Sequence, residues 1–141
     1  MKKLSIAALL VGSLFITACS SGVNDVKPVE NKNIKEVCLK GAERKAPDDF
    51  VDALSRSLSK KNIKSHFIKG NEKCDYVLVF GVKGNAKIIA RARLDLRDMN
   101  NGKQSIGSVS YKRRGDEIKR VKQVGLQGQT DAMVNELFKN Y

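Results

Sequence analysis

The chain has 141 residues, with 27 Lys and Arg against 15 Asp and Glu for a formal net charge of +12, and it carries one histidine, three cysteines and no tryptophan. That length holds one ordinary hydrophobic core and not two, and a single histidine argues against histidine-rich metal sites and histidine-centred hydrolysis. The positive excess points to polyanions, yet aromatic residues are only 6% and none alternates with the arginines, so nucleic acid is an unexpected partner for want of stacking platforms.

Lys2 and Lys3 precede a run from Leu4 to Phe15 that is apolar apart from Ser5, Gly12 and Ser13. Its length fits a signal-peptide core and falls short of the roughly 20 residues a membrane-spanning helix needs. Ile16, Thr17, Ala18 and Cys19 follow, an aliphatic residue, two small ones and a cysteine. This resembles the lipobox of bacterial lipoprotein precursors; an ordinary signal peptide with a chance cysteine, or a buried core helix, is the alternative. The resemblance implies a signal peptide over 1–18, lipidation of the Cys19 thiol and cleavage before it. Ser20 in the next position, with no aspartate there, implies sorting to the outer membrane of a Gram-negative envelope; the domain is expected to face the periplasm. Two or three acyl chains anchor a protein stably where one does not.

From Ser20 to Asn33 the chain is polar and aperiodic, with one Gly and one Pro. We expect 19–33 to be the acylated cysteine and a flexible tether spanning roughly 20 Å, and 34–141 to be a single domain. With Cys19 committed to lipid, Cys38 and Cys74 remain as an even pair in an exported chain, so a disulfide is expected. It would contribute about 3–4 kcal/mol in the chain-entropy model. A two-cysteine metal site or a redox pair is the rival, but neither has a CxxC spacing or neighbouring histidines in support. No metal or cofactor is therefore expected.

Ile34 to Lys40 reads as a first strand. After Pro47, apolar residues at 50, 51, 54 and 58 follow helical spacing, with Asp48 as N-cap and Asn62 as terminator. Ile63 to Lys69 is the next strand, which makes a β-α-β crossover. Strands follow at Asp75 to Lys83, Ala86 to Asp98 and Lys103 to Arg113, joined by turns at Gly84-Asn85 and Asn100-Asn101-Gly102. In the second of these, Ile88, Ala90, Ala92, Leu94 and Leu96 should face the core, and Ile89, Arg91, Arg93, Asp95 and Arg97 the solvent. Asp75 to Lys83 is apolar on both faces around Val77 and Val79, so it should be central, its second face covered or offered to a partner. Gly115 to Gly128 is left unassigned apart from Ile118, Val121 and Val124 at intervals of three. Thr130 should cap a last helix with Met133, Val134, Leu137, Phe138 and Tyr141 in one stripe. The expected fold is a two-layer α+β sandwich in the order βαβββα, a mostly antiparallel sheet of about five strands with two helices on one face.

Val37-Cys38, Asp48 to Leu54, Cys74 to Phe80 and Thr130 to Phe138 resemble matching stretches in a small family of Gram-negative lipoproteins without established activity. The resemblance implies the fold and the disulfide and no chemistry.

No catalytic constellation is evident. His66 stands alone, Asp48-Asp49 and Asp116-Glu117 are explained by capping and solvation, and the glycines do not build a phosphate cradle. Arg91, Arg93 and Arg97 share a solvent face, and Lys112, Arg113 and Arg114 end the adjoining strand, a candidate anion-binding patch. A solubilising face with ion pairs through Asp95 is the alternative. The expected function is a non-enzymatic outer-membrane lipoprotein that docks on an envelope protein as part of an assembly. The alternative is binding of lipopolysaccharide, anionic lipid or cell-wall material by the basic sheet face.

Overall fold

The computed structural model describes residues 22–30, 33–42, 48–85, 87–114 and 118–141. The signal peptide, the lipobox with Cys19, Ser20, the Asp116-Glu117 pair and the Asp48 side chain lie outside what is described. The strands are β1 (Val23–Lys27), β2 (Glu36–Gly41), β3 (Lys64–Phe67), β4 (Tyr76–Gly84), β5 (Ile89–Asp98) and β6 (Gln104–Lys112), and the helices are α1 (Asp48–Lys60) and α2 (Ile118–Leu137). One sheet holds all six strands in the order β1-β6-β5-β4-β2-β3. Pairing is antiparallel from β1 through β4 and parallel where β2 meets β4 and β3. The expected α+β architecture and parallel crossover are present. The sheet gains a strand and is mixed.

That extra strand corrects the tether. Val23–Lys27 pairs with β6, half-burying Val23 and Val26, and Val29 just beyond is fully buried with its N–H on the Leu137 carbonyl at 2.8 Å. Valines spaced by three concealed the strand from an alternation test, because an irregularity between Asn24 and Lys27, with Asp25 at φ 48°, breaks the two-residue period. Gly107 makes room for this segment: a Cβ there would stand 2.5 Å from Val29 Cγ2.

Helix α1 buries Phe50, Ala53, Leu54 and Leu58 and stops as expected at Asn62, whose φ is 60°. Asn62 N–H donates to the Ser59 carbonyl and Ile63 N–H to the Leu58 carbonyl, while the Leu58 and Ile63 side chains are both buried, a Schellman ending with its apolar contact.

The second helix differs from expectation. It begins at Ile118 and runs through a break at Gly125 (φ 63°, ψ −170°), so Thr130 is interior and does not cap. Its hydroxyl donates to the Leu126 carbonyl at 2.7 Å. The predicted stripe holds: Met133, Val134, Leu137 and Phe138 are fully buried, and the Tyr141 hydroxyl accepts the Ile34 N–H at 3.2 Å.

Both helices bury their apolar faces in one cluster with Leu39, Leu78, Phe80, Leu94, Leu96 and Val109 from alternate positions of the strands. In β5 the expected alternation holds from Arg91 to Arg97 and fails before it. Ile89 is fully buried and Ile88 only partly, because the register slips between Lys83 and Gly84. Gln129, 2% exposed, holds that slipped end, its amide bonded to the backbone N–H and carbonyl of Ile89 and to the Tyr111 hydroxyl.

Candidate functional site

Helices cover one face of the sheet and leave the other as a candidate working surface. Residues on this open face follow from register. Lys83, Arg91 and Lys112 form one cross-strand row, and Gly81, Arg93, Ser110 and Asn24 form the next. Gly81 contributes no side chain, so the rows enclose a shallow groove of about 520 Å³ floored at that glycine and rimmed by the exposed Lys83, Arg91, Arg93 and Lys112, with Asp25 as the one acid in the lining. Among the described residues, none of the four cations forms an ion pair. Like charges directly opposite one another across strands are destabilising. The row is thus arranged at a folding cost that an anion would relieve.

The structure brings together three of the six predicted patch residues, Arg91, Arg93 and Lys112. Arg97 belongs elsewhere, with its Nε 3.0 Å from Asp95 Oδ2, while Ser105 Oγ donates to the other carboxylate oxygen. Arg113 is half-buried past the end of β6, its N–H on the Ala90 carbonyl, and Arg114 is exposed beyond the groove. Lys83 was not predicted; its signal was a basic residue at the end of an otherwise apolar strand. On this open face of β4, Val77 is buried and Val79 half-buried, while Lys83 is exposed.

At the other end of β4 the open face carries the second cluster. Cys38 and Cys74 form the expected disulfide, with Cα atoms 6.2 Å apart. The parallel register sets Cys38 opposite His66 on β3 and Val77 on β4. His66 Nε2 lies 3.6 Å from Cys38 Sγ and 2.6 Å from Glu72 Oε1, and Nδ1 lies 3.3 Å from Glu36 Oε1. A turn through Gly70 (φ 50°) folds Glu72 back onto the histidine, and the Lys69 N–H donates to Glu72 Oε2 at 3.1 Å. The bond with His66, then that from Lys69, holds the Glu72 carboxyl below its ordinary pKa. These residues line a cavity of about 460 Å³. The histidine that sequence spacing left isolated thus gathers two carboxylates and a disulfide. The cluster has donor atoms for a metal or a proton, and Lys35, Lys73 and Tyr76 line the same cavity.

No helix among the described residues is long and apolar enough to cross a membrane. No protein-family model matches the chain, and no curated protein matches its sequence. Among solved structures it is similar to the PelC dodecamer from Paraburkholderia phytofirmans, at 13% identity over 79% of this chain and 95% of that one, with a TM-score of 0.49. It is also similar to a minor lipoprotein from Acinetobacter baumannii, at 12% identity over 75% and 92% of the two chains, with a TM-score of 0.39. Likeness at this level concerns the path of the chain alone.

Proposed function

We propose that this chain is an exported, lipid-anchored protein of the outer membrane that works by binding and not by catalysis. Its groove engages the phosphates of anionic lipid headgroups beside its own anchor. The observation that carries this reading is the row Lys83, Arg91 and Lys112, three cations opposite one another without a carboxylate partner among the described residues. Chain reach supports it. Acylated Cys19 stands three residues before Gly22, whose carbonyl accepts the Lys112 N–H at 3.0 Å. Three residues extend to about 10 Å at most, so the anchor delivers this corner of the sheet to the membrane surface.

Each basic residue near an anionic surface contributes about 1 kcal/mol. The chain from Gly22 onward contains every described element and should co-sediment with phosphatidylglycerol vesicles and not with phosphatidylcholine, losing affinity as salt is raised. Replacing Lys83, Arg91, Arg93 and Lys112 by serine should weaken binding on the order of 10²–10³-fold. Unchanged partitioning would overturn the headgroup reading. Mass spectrometry of protein from membranes tests the anchor: an unmodified Cys19 thiol, or a cut elsewhere, overturns it.

A second reading, docking on an envelope protein within an assembly, is favoured by β3. This short edge strand ends in Phe67, 43% exposed, where a partner strand can pair. Copurification of a stoichiometric partner that is lost in Phe67→Ser would favour this reading over the first.

A further inference from the structure

We infer that the Cys38–Cys74 disulfide and a zinc-class divalent cation are alternative occupants of one site, so that the reduced chain binds the metal through Cys38, Cys74, His66 and Glu72. One ligand atom from each of these four residues lies within 4.8 Å of every other. Two thiolates, an imidazole nitrogen and a carboxylate oxygen are the donor types that borderline-soft zinc takes in tetrahedral sites. The Cα separation of 6.2 Å already suits two cysteines on one metal, since only the side chains need to part when the sulfur–sulfur bond opens.

The surroundings are built as metal sites are built. A histidine that ligates through one ring nitrogen characteristically donates its other N–H to a carboxylate, which fixes tautomer and ring orientation. Here Nε2 faces the sulfur and Glu72, and Nδ1 faces Glu36 at 3.3 Å. Glu72 is held in the same way, its second oxygen taking the Lys69 N–H. Three elements converge on the site, β2 with Cys38 and Glu36, β3 with His66, and the segment before β4 with Glu72 and Cys74.

The chemistry balances simply. A dithiol reductant passes two electrons and two protons to the disulfide, yielding two thiols and its own disulfide. Metal binding then releases both thiol protons to solvent as thiolates form. The metal replaces the lost covalent link as a staple between β2 and the segment before β4.

Cobalt(II) is the probe, added to the full-length chain in detergent after reduction with a phosphine, which leaves no competing thiol. One equivalent should bind with thiolate-to-cobalt charge transfer and the intense visible bands of tetrahedral cobalt, and zinc(II) should displace it. The oxidised chain should show neither signal. His66→Ala and Glu72→Gln should each weaken binding at least about 10-fold, and Glu36→Gln about 10–100-fold through the histidine it orients. Circular dichroism should show a reduced chain that retains or regains its fold with zinc(II). No uptake after reduction, equal uptake by the oxidised chain, affinity indifferent to His66 and Glu72, or a reduced chain that zinc(II) leaves unfolded would each overturn the inference.

Discussion

Asp131 shows how one carboxylate joins two helices. It accepts Ser57 Oγ at 2.6 Å and Gln127 Nε2 at 3.0 Å on one oxygen and Lys60 Nζ at 2.7 Å on the other. Burial pushes its carboxyl up, but the bonds from Lys60, Ser57 and Gln127 together outweigh burial and hold it below the ordinary aspartate value of 3.8. A lowered folded-state pKa contributes stability that is present above 3.8 and is lost as pH falls through the folded-state value. Asp131→Asn should therefore cost about 1–2 kcal/mol at neutral pH, and the gap to the unmodified chain should close on acidification. Urea melts at neutral and strongly acidic pH check this; a gap independent of pH would assign the loss to packing. Residues of this kind were not legible in the sequence. Asp131 and Ser57 stand 74 positions apart, and only the packing of α1 on α2 makes them partners. His66 was obscured likewise, since its closeness to Cys38 depends on a parallel register across 28 residues. Arg97 was over-assigned for the opposite reason: its partner Asp95, two residues away on the same face, was visible in the sequence.

Among the elements, those with a regular period were readable and those with an interruption were not. The i, i+3, i+4 rhythm marked α1, a two-residue rhythm marked most of β5, an apolar run marked β4, and the Gly84-Asn85 and Asn100-Asn101-Gly102 turns bounded β4, β5 and β6. The first half of α2 escaped because Gly125 resets the direction of the helix, so that the apolar residues on either side do not fall on one continuous stripe. After the break, Gln127 and Asp131 meet α1 while Gln129 reaches β5. Gly125 has φ 63° and ψ −170°, a region that side-chain-bearing residues avoid at about 1–3 kcal/mol, and a Cβ there would meet nothing within 4 Å. Gly125→Ala should therefore lose about 1–3 kcal/mol by backbone strain alone. Exchange of the amides around Gln127 and Gln129 should rise with it. Hydrogen exchange with a parallel melt checks both, and an unchanged melting temperature would mean that α2 straightens without cost.

For the whole molecule, the finding of greatest consequence is that the described sheet already includes Val23–Lys27, ahead of the expected start at Ile34. An anchored domain on a fourteen-residue coil would roam roughly 20 Å from the bilayer, whereas the proposed anchor at Cys19 would keep Gly22 within about 10 Å. On the proposed function, so short a leash would raise the effective concentration of headgroups at the groove, a concentration that falls roughly as the −3/2 power of linker length once the linker is flexible. Inserting a twelve-residue Gly/Ser segment between Ser21 and Gly22 lengthens the link about fivefold and touches none of the described structure. The headgroup reading then requires about a tenfold drop in effective concentration, with anchoring and melting temperature unchanged. Hydrogen exchange on anchored protein in phosphatidylglycerol-containing bilayers measures it through the amides of β5 and β6 that border Arg91, Arg93 and Lys112. Their bilayer-dependent protection should weaken in the lengthened chain and persist in the unmodified one. Equal protection in both would show that the groove finds its anion away from the anchoring membrane.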